Sequence, residues 1–177
     1  MSLFSTETVT FETPIAMLIA CHDRVRQYAD LTLKLAQHLI KEGVDAKAQD
    51  AATGILRYFN MAAPLHHDDE DLDLFPLLSQ YGDAELQAII ASTSAEHETL
   101  GLLWQEVRGY LIPLAAGQGG SLPLALASEF SKRYPAHADL EENRIYPSAE
   151  LLLDAPTLAA IGQNMANRRI QSSEKAL

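Results

Sequence analysis

A short acidic stretch, residues 64–76, carries the side chains best able to do chemistry. His66 and Glu70 are four positions apart, and His67 follows His66 directly. On a helix each residue turns by about 100°, so His66 and Glu70 lie on one face, and Glu70 falls between the two histidines. Such a cluster of imidazoles and a carboxylate is costly to bury unless its charge is paired or bound to a metal.

The pattern recurs 71 positions later, in residues 135–147. His137 and Glu141 repeat the four-residue spacing, and each segment begins with a proline and ends with an aromatic residue followed by proline. The repeat predicts two helices that each present a histidine and a glutamate from one face.

The spacing of apolar residues predicts the helices that position these side chains. Four long helices are expected over residues of about 14–41, 46–78, 84–114 and 123–152, followed by a short fifth helix over about 155–170. Pro64 should kink the second helix or force a local bulge just before the histidines. These elements predict an all-α fold, an antiparallel up-down four-helix bundle with a short fifth helix. One domain is expected over residues 1–177, with its core at about 14–152.

Each long helix carries a histidine near its middle, namely His22, His66, His97 and His137. In a bundle these positions can converge at one depth, which is how helical bundles build two-metal sites from histidines and carboxylates. Imidazole and carboxylate suit iron, zinc or manganese, and no cysteine stands among the candidates. Two bridging glutamates could hold two metals roughly 3.5–4 Å apart.

Composition excludes several other kinds of function. The formal net charge of −11 argues against nucleic acid or an anionic membrane as the main partner. The one cysteine, Cys21, allows no intrachain disulfide, which suits a reducing cytoplasm. No apolar run approaches the roughly 20 residues that a membrane span needs. A cytoplasmic protein is therefore expected.

The paired histidine and glutamate segments resemble the hemerythrin-like (HHE cation-binding) family over about Pro14 to Pro147. The resemblance implies a four-helix bundle around a non-haem diiron centre, with an oxo or hydroxo bridge between the two irons. Zinc and manganese are other candidate metals. The metal ligands that it implies are His22, His66, Glu70, His97, His137 and Glu141, with the two glutamates bridging the metals.

One position departs from the oxygen-carrying hemerythrins. Those proteins place a second histidine one turn after the ligand of the third helix, where this chain has Gly101. Either one ligand is missing or His67 replaces it, and the helical geometry permits the replacement. Gly101 would also leave space for a small molecule beside the metals.

Three functions fit these observations. The first is a non-enzymatic diiron protein that binds or senses oxygen, nitric oxide or iron. The second is a diiron enzyme acting on peroxide, oxygen or nitric oxide, with no catalytic residue assigned. The third is a structural bundle that binds a partner. A small diatomic molecule or peroxide is the expected partner of the first two, and the oligomeric state is left open.

Overall fold

The computed structural model describes residues 9–175, and every regular element in this range is helical. In chain order the elements are α1 (Pro14–Glu42), α2 (Ala46–Asp69), a first π-helical turn (Glu70–Leu74), α3 (Phe75–Tyr81), α4 (Ala84–Ala115), α5 (Leu124–Leu140), a second π-helical turn (Glu141–Ile145), α6 (Tyr146–Leu152) and α7 (Ala155–Lys175). This architecture is consistent with the helical bundle that the sequence predicts.

The helix ends follow from local side-chain chemistry. The carboxylates of Asp45, Asp83 and Asp154 accept backbone N–H bonds three residues on, at 2.8, 2.9 and 3.0 Å, and so cap α2, α4 and α7. Gly43, with φ of 78°, ends α1 in a conformation that favours glycine. The last helix, α7, extends to Lys175 and is longer than the predicted range of about 155–170.

The long helices pack so that each contacts two others. Helix α1 packs on α2 and α5, α4 packs on α2 and α5, and α7 lies against α1 and α2. No helix among residues 9–175 combines the length and the apolar character needed to cross a membrane.

Two apolar clusters fill the bundle, and a polar layer separates them. The first is rich in aromatic rings, including Phe59, Trp104 and Phe130, and the second includes Leu18, Leu74 and Ile145. On each long helix the predicted ligands lie between a residue of one cluster and a residue of the other. The apolar clusters therefore hold the polar layer at one depth and shield it from solvent.

The interruption of the second helix that was expected at Pro64 lies further along the chain. Helix α2 runs through Pro64 without a break and ends at Asp69, after the histidines. The wide turn begins one residue later, at Glu70. The local bulge that was predicted just before the histidines is therefore wrong in position.

Each π-helical turn begins at a predicted metal-binding glutamate. The amide of Phe75 donates to the carbonyl of Glu70, and that of Tyr146 donates to Glu141, five residues apart in both cases. The next residue in each segment is a proline, which has no N–H to donate and clashes with the carbonyl four residues back in a regular helix. The extra residue in the turn accommodates that proline, and such turns are frequent at functional sites.

Candidate metal centre

Two groups of donor side chains lie in the polar layer. The three-histidine group consists of His67, His97 and His137, and the mixed group consists of His22, His66, Glu70 and Glu141. Within each group the candidate ligand atoms all lie within 4.8 Å of one another. Six of the seven side chains are buried, and His67 is partly exposed.

The structure thus brings together all seven residues predicted as metal ligands. His67 lies with His97, on which its ring stacks with centroids 4.0 Å apart, and with His137. A Cβ added at Gly101 would meet no heavy atom of the described residues within 4 Å, so there is open space at this position. His67 therefore lies beside His97, the histidine of the third long helix, where it could supply the ligand that Gly101 does not.

Glu141 faces both groups with different oxygens. Its Oε2 lies 3.1 Å from Nε2 of His22, in the mixed group. Its Oε1 lies 3.0 Å from Nε2 of His137 and 3.5 Å from Nε2 of His97, in the three-histidine group. This is the arrangement that a carboxylate needs to contact two neighbouring cations.

Glu70 meets the histidines with a single oxygen. Its Oε2 lies 3.6 Å from Nε2 of His66 and 3.5 Å from Nε2 of His97, one histidine from each group. Its Oε1 accepts a hydrogen bond of 2.6 Å from the hydroxyl of Tyr146. The two glutamates, equivalent in sequence, are therefore held differently.

The donor set fits a metal ion. Among the described residues, the buried side-chain atoms without a hydrogen-bond partner are His66 Nδ1, Glu70 Oε2, His97 Nε2, His137 Nε2, Glu141 Oε1 and Glu141 Oε2. An unpaired buried polar atom costs about 1–3 kcal/mol, and charged groups cost more. Cations placed between these oxygens and Nε2 atoms would satisfy them together, and imidazole with carboxylate suits iron, zinc or manganese.

Burial sets the protonation of the groups in a direction that suits metal binding. It lowers the pKa of His66 and His67 well below the usual value, which keeps both imidazoles neutral. Burial, followed by the charge of Glu141, raises the pKa of Glu70 well above its usual value. Burial also opposes the charge of Glu141, but the imidazoles of His137 and His22 lower the pKa of Glu141 below its usual value. The bound proton of Glu70 is the one that a cation would displace.

Three of the imidazoles are oriented by carboxylates on their outer side. Through Nδ1, His22 bonds Glu142 at 2.9 Å, His97 bonds Asp71 at 2.8 Å, and His137 bonds Glu96 at 3.2 Å. Metal-binding histidines commonly donate their second N–H to a carboxylate, which fixes the ring and directs the other nitrogen to the metal. Each of the three rings here directs Nε2 inward.

Asp71 and Glu142 belong to the two repeated segments that sequence reasoning singled out, whereas Glu96 lies outside both segments and was missed. That residue precedes His97, yet the histidine it bonds lies 41 positions further along the chain, so no local spacing indicates the pair. Arg26 adds an outer layer, since it donates to Glu142 at 3.0 Å and to Asp139 at 2.6 Å.

Tyr146 is a second site residue that sequence reasoning overlooked. It was noted only as the aromatic residue before the closing proline, where the first segment has Phe75. The available signal was the 71-residue repeat, which aligns this tyrosine with that phenylalanine. Tyr134, another buried tyrosine, donates instead to the carbonyl of Leu100 at 3.0 Å and packs in the aromatic cluster.

Two other residues, His38 and Cys21, lie outside the site. His38 bonds Asp45 at 3.0 Å beside the turn between α1 and α2. Cys21 is partly exposed, in a cavity of about 520 Å³ that Arg169 also lines. Burial of part of the side chain raises the pKa of the Cys21 thiol, which favours an unreactive cysteine.

A helical bundle that buries two groups of histidine and glutamate donors between its helices is a metal-binding bundle protein. Residues 13–149 match the Hemerythrin HHE cation binding domain, and the chain belongs to this family. It is also similar to an uncharacterized protein of Haemophilus influenzae, with 34% identity over 160 residues that cover 90% of this chain and 92% of the relative.

Proposed function

We propose that this protein binds two iron ions and uses them to bind or sense oxygen, nitric oxide or iron in the cytoplasm. One ion would be held by the three-histidine group and the other by His22 and His66, in an antiparallel up-down bundle. Glu70 and Glu141 would contact both ions. An iron pair supplies a redox-active centre with affinity for small diatomic molecules.

The observation that carries this proposal is the position of Glu141. Its two oxygens face different histidine groups, 3.1 Å from His22 and 3.0 Å from His137. If Glu141 served only to neutralise one histidine, it would need to contact only one of the two donor groups. Two buried groups that share a carboxylate fit two neighbouring cations better than one.

Metal analysis tests the binding of iron. Purified protein should carry about two equivalents of metal, and Glu70→Ala combined with Glu141→Ala should lose most of it. The exposed Glu150 supplies the control, since Glu150→Ala should load like the natural chain. Metal removal should also lower the melting temperature, because a ligand that binds only the folded state stabilises it. Full loading of the double variant, or a melting temperature insensitive to metal, would instead support a structural bundle.

Optical spectra test the proposed ligands. Anaerobic iron-loaded protein should change its spectrum on addition of air or nitric oxide, and the change should be absent after Glu141→Ala. A spectrum that neither gas alters would contradict gas binding and leave iron as the molecule sensed.

An enzyme acting on peroxide, oxygen or nitric oxide is the second candidate. It is favoured by the unequal histidine numbers of the two groups and by the open space at Gly101. Catalytic consumption of peroxide or nitric oxide by loaded protein, abolished in Glu141→Ala, would establish it. A stable adduct without consumption would favour the binding protein.

A further inference from the structure

Tyr146 lies against the mixed group without belonging to it. Its side chain is buried at the start of α6, and its ring stacks on that of His22 with centroids 5.5 Å apart and planes 9° from parallel. Its hydroxyl lies 2.6 Å from Oε1 of Glu70 and 3.3 Å from Nε2 of His22. A hydroxyl has one proton to donate, and the shorter contact directs it to Glu70.

The equivalent position in the first segment shows what the hydroxyl adds. Phe75 stacks on His97 with centroids 5.9 Å apart and planes 16° from parallel, much as Tyr146 stacks on His22. Both positions therefore supply a ring that packs on a histidine. Only the second position supplies a hydrogen-bond donor to a shared glutamate.

The hydrogen bond explains why the two glutamates are held differently. Glu141 contacts the two groups with one oxygen each, whereas Glu70 contacts both with Oε2 because Tyr146 holds its Oε1. A hydrogen bond at 2.6 Å to a carboxylate is short and strong, and it draws negative charge away from the donor oxygens.

We infer that Tyr146 is a positioning residue that holds Oε1 of Glu70. Glu70 then binds through one oxygen only and is a weaker ligand than Glu141. The inference rests on the proposed function, because its effect is exerted on the bound iron. A ferric ion carries more positive charge than a ferrous ion, so it gains more from a charge-rich carboxylate. Tyr146 therefore favours the ferrous state and raises the reduction potential of the centre.

The test is the midpoint potential of iron-loaded protein, measured anaerobically by following its spectrum. Tyr146→Phe should leave the iron content near two equivalents. It should raise the preference for ferric over ferrous iron about tenfold, which lowers the one-electron potential by about 59 mV. Tyr134→Phe is the matched control, since it also removes a buried tyrosine hydroxyl, one that bonds the carbonyl of Leu100.

A second variant tests the same reasoning in the opposite direction. Phe75→Tyr adds a hydroxyl at the equivalent position, and it should raise the potential. This variant also decides the question if Tyr146→Phe does not fold, in which case an unchanged potential in Phe75→Tyr overturns the inference.

The outcomes separate the inference from the proposed function. If the natural chain binds no iron, both are overturned. If the natural chain binds iron, but Tyr146→Phe and Tyr134→Phe both have the same midpoint potential as the natural chain, only the positioning role of Tyr146 is overturned. Loss of iron in Tyr146→Phe, together with loss of a visible absorption band of the natural chain, would make Tyr146 a direct ligand and would also overturn that role.

Discussion

The two repeated segments, 64–76 and 135–147, build the same scaffold from two different helices of the bundle. Asp71 bonds the outer nitrogen of His97, and Glu142, at the equivalent position, bonds that of His22. In each segment the aromatic residue before the closing proline stacks on the histidine that this acid bonds, Phe75 on His97 and Tyr146 on His22. Each segment thus contributes its own histidine and also orients a histidine from another helix.

The segments differ at the positions that decide the chemistry. His67 of the first corresponds to Ala138 of the second, and Phe75 corresponds to Tyr146. The first segment therefore supplies one histidine more, and the second supplies a phenol. The comparison teaches that a repeated backbone can present unequal donor groups, so that the two groups of donor side chains need not behave alike toward a cation.

A third difference concerns the covering of the two segments. Asp69 is fully buried under α7, where Arg168 and Arg169 both donate to it. Its counterpart Leu140 is 40% exposed. Helix α7 therefore anchors the first π-helical turn.

The largest expected effect is the loss of this anchor. Asp69→Leu makes the first segment like the second and should lower the free energy of unfolding by about 3 kcal/mol, because two arginines lose their buried partner. This loss lies at the low end of the range for a broken buried ion pair, since both arginines are partly exposed. Urea unfolding measures the change. Leu140→Asp is the control, and a similar loss in that variant would contradict the asymmetry.

Removal of the extra imidazole tests the difference at the metal. His67→Ala should weaken the binding of one of the two metal equivalents about a hundredfold. Loss of a residue that only hydrogen-bonds a metal ligand already lowers metal affinity by up to about a hundredfold. The other equivalent should be retained. Titration with a metal and a competing chelator measures both affinities, and His38→Ala, at the surface, should leave them unchanged. Equal weakening of both equivalents would argue against two distinct groups.

The equivalence of Asp71 and Glu142 predicts matched effects. Asp71→Asn and Glu142→Gln should each lower metal affinity about tenfold, because the imidazole that each orients becomes a weaker and less fixed ligand. The same titration checks this, with the exposed Asp68→Asn as control. An effect confined to one segment would show that the outer bonds are not equivalent.

The smallest effect is a pH dependence of the metal-free protein. His66 and His67 have lowered pKa values, so their contribution to stability is present above about pH 6.5 and is lost as the pH falls. Glu70 has a raised pKa, so its contribution is present below about pH 4.5 and is lost as the pH rises through its folded value. Two histidines outweigh one carboxyl below pH 6.5, so the free energy of unfolding should decrease as the pH is lowered from that value.

The free energy of unfolding of the metal-free protein should therefore be greatest near pH 6.5 and should decrease at both lower and higher pH. The raised pKa of His137 adds to the decline above pH 6.5. Iron loading should remove this decline, because cations replace the protons of Glu70 and His137. Urea unfolding at pH 5.5, 6.5 and 7.5, with and without metal, measures the dependence. Stability that rises steadily to pH 7.5 without metal would contradict the raised pKa of Glu70.

Much of the fold could be predicted because it depends on local chemistry. The helix starts after Asp45 and Asp83 follow from capping, and the long helices follow from apolar spacing. The π-helical turns were not predicted. Proline suggested an interruption, but Pro64 is accommodated within α2, whereas the prolines that close the two segments follow the wide turns.

The sequence by itself determined which side chains could bind a metal, because residue type and four-residue spacing fix the donor atoms and the face they share. It also determined that the two segments are equivalent, through their 71-residue repeat. Only the tertiary structure decided which histidines share a group, that Glu96 orients His137, and that Tyr146 holds Glu70. These contacts join residues far apart in the chain, and their distances depend on how helices pack against one another.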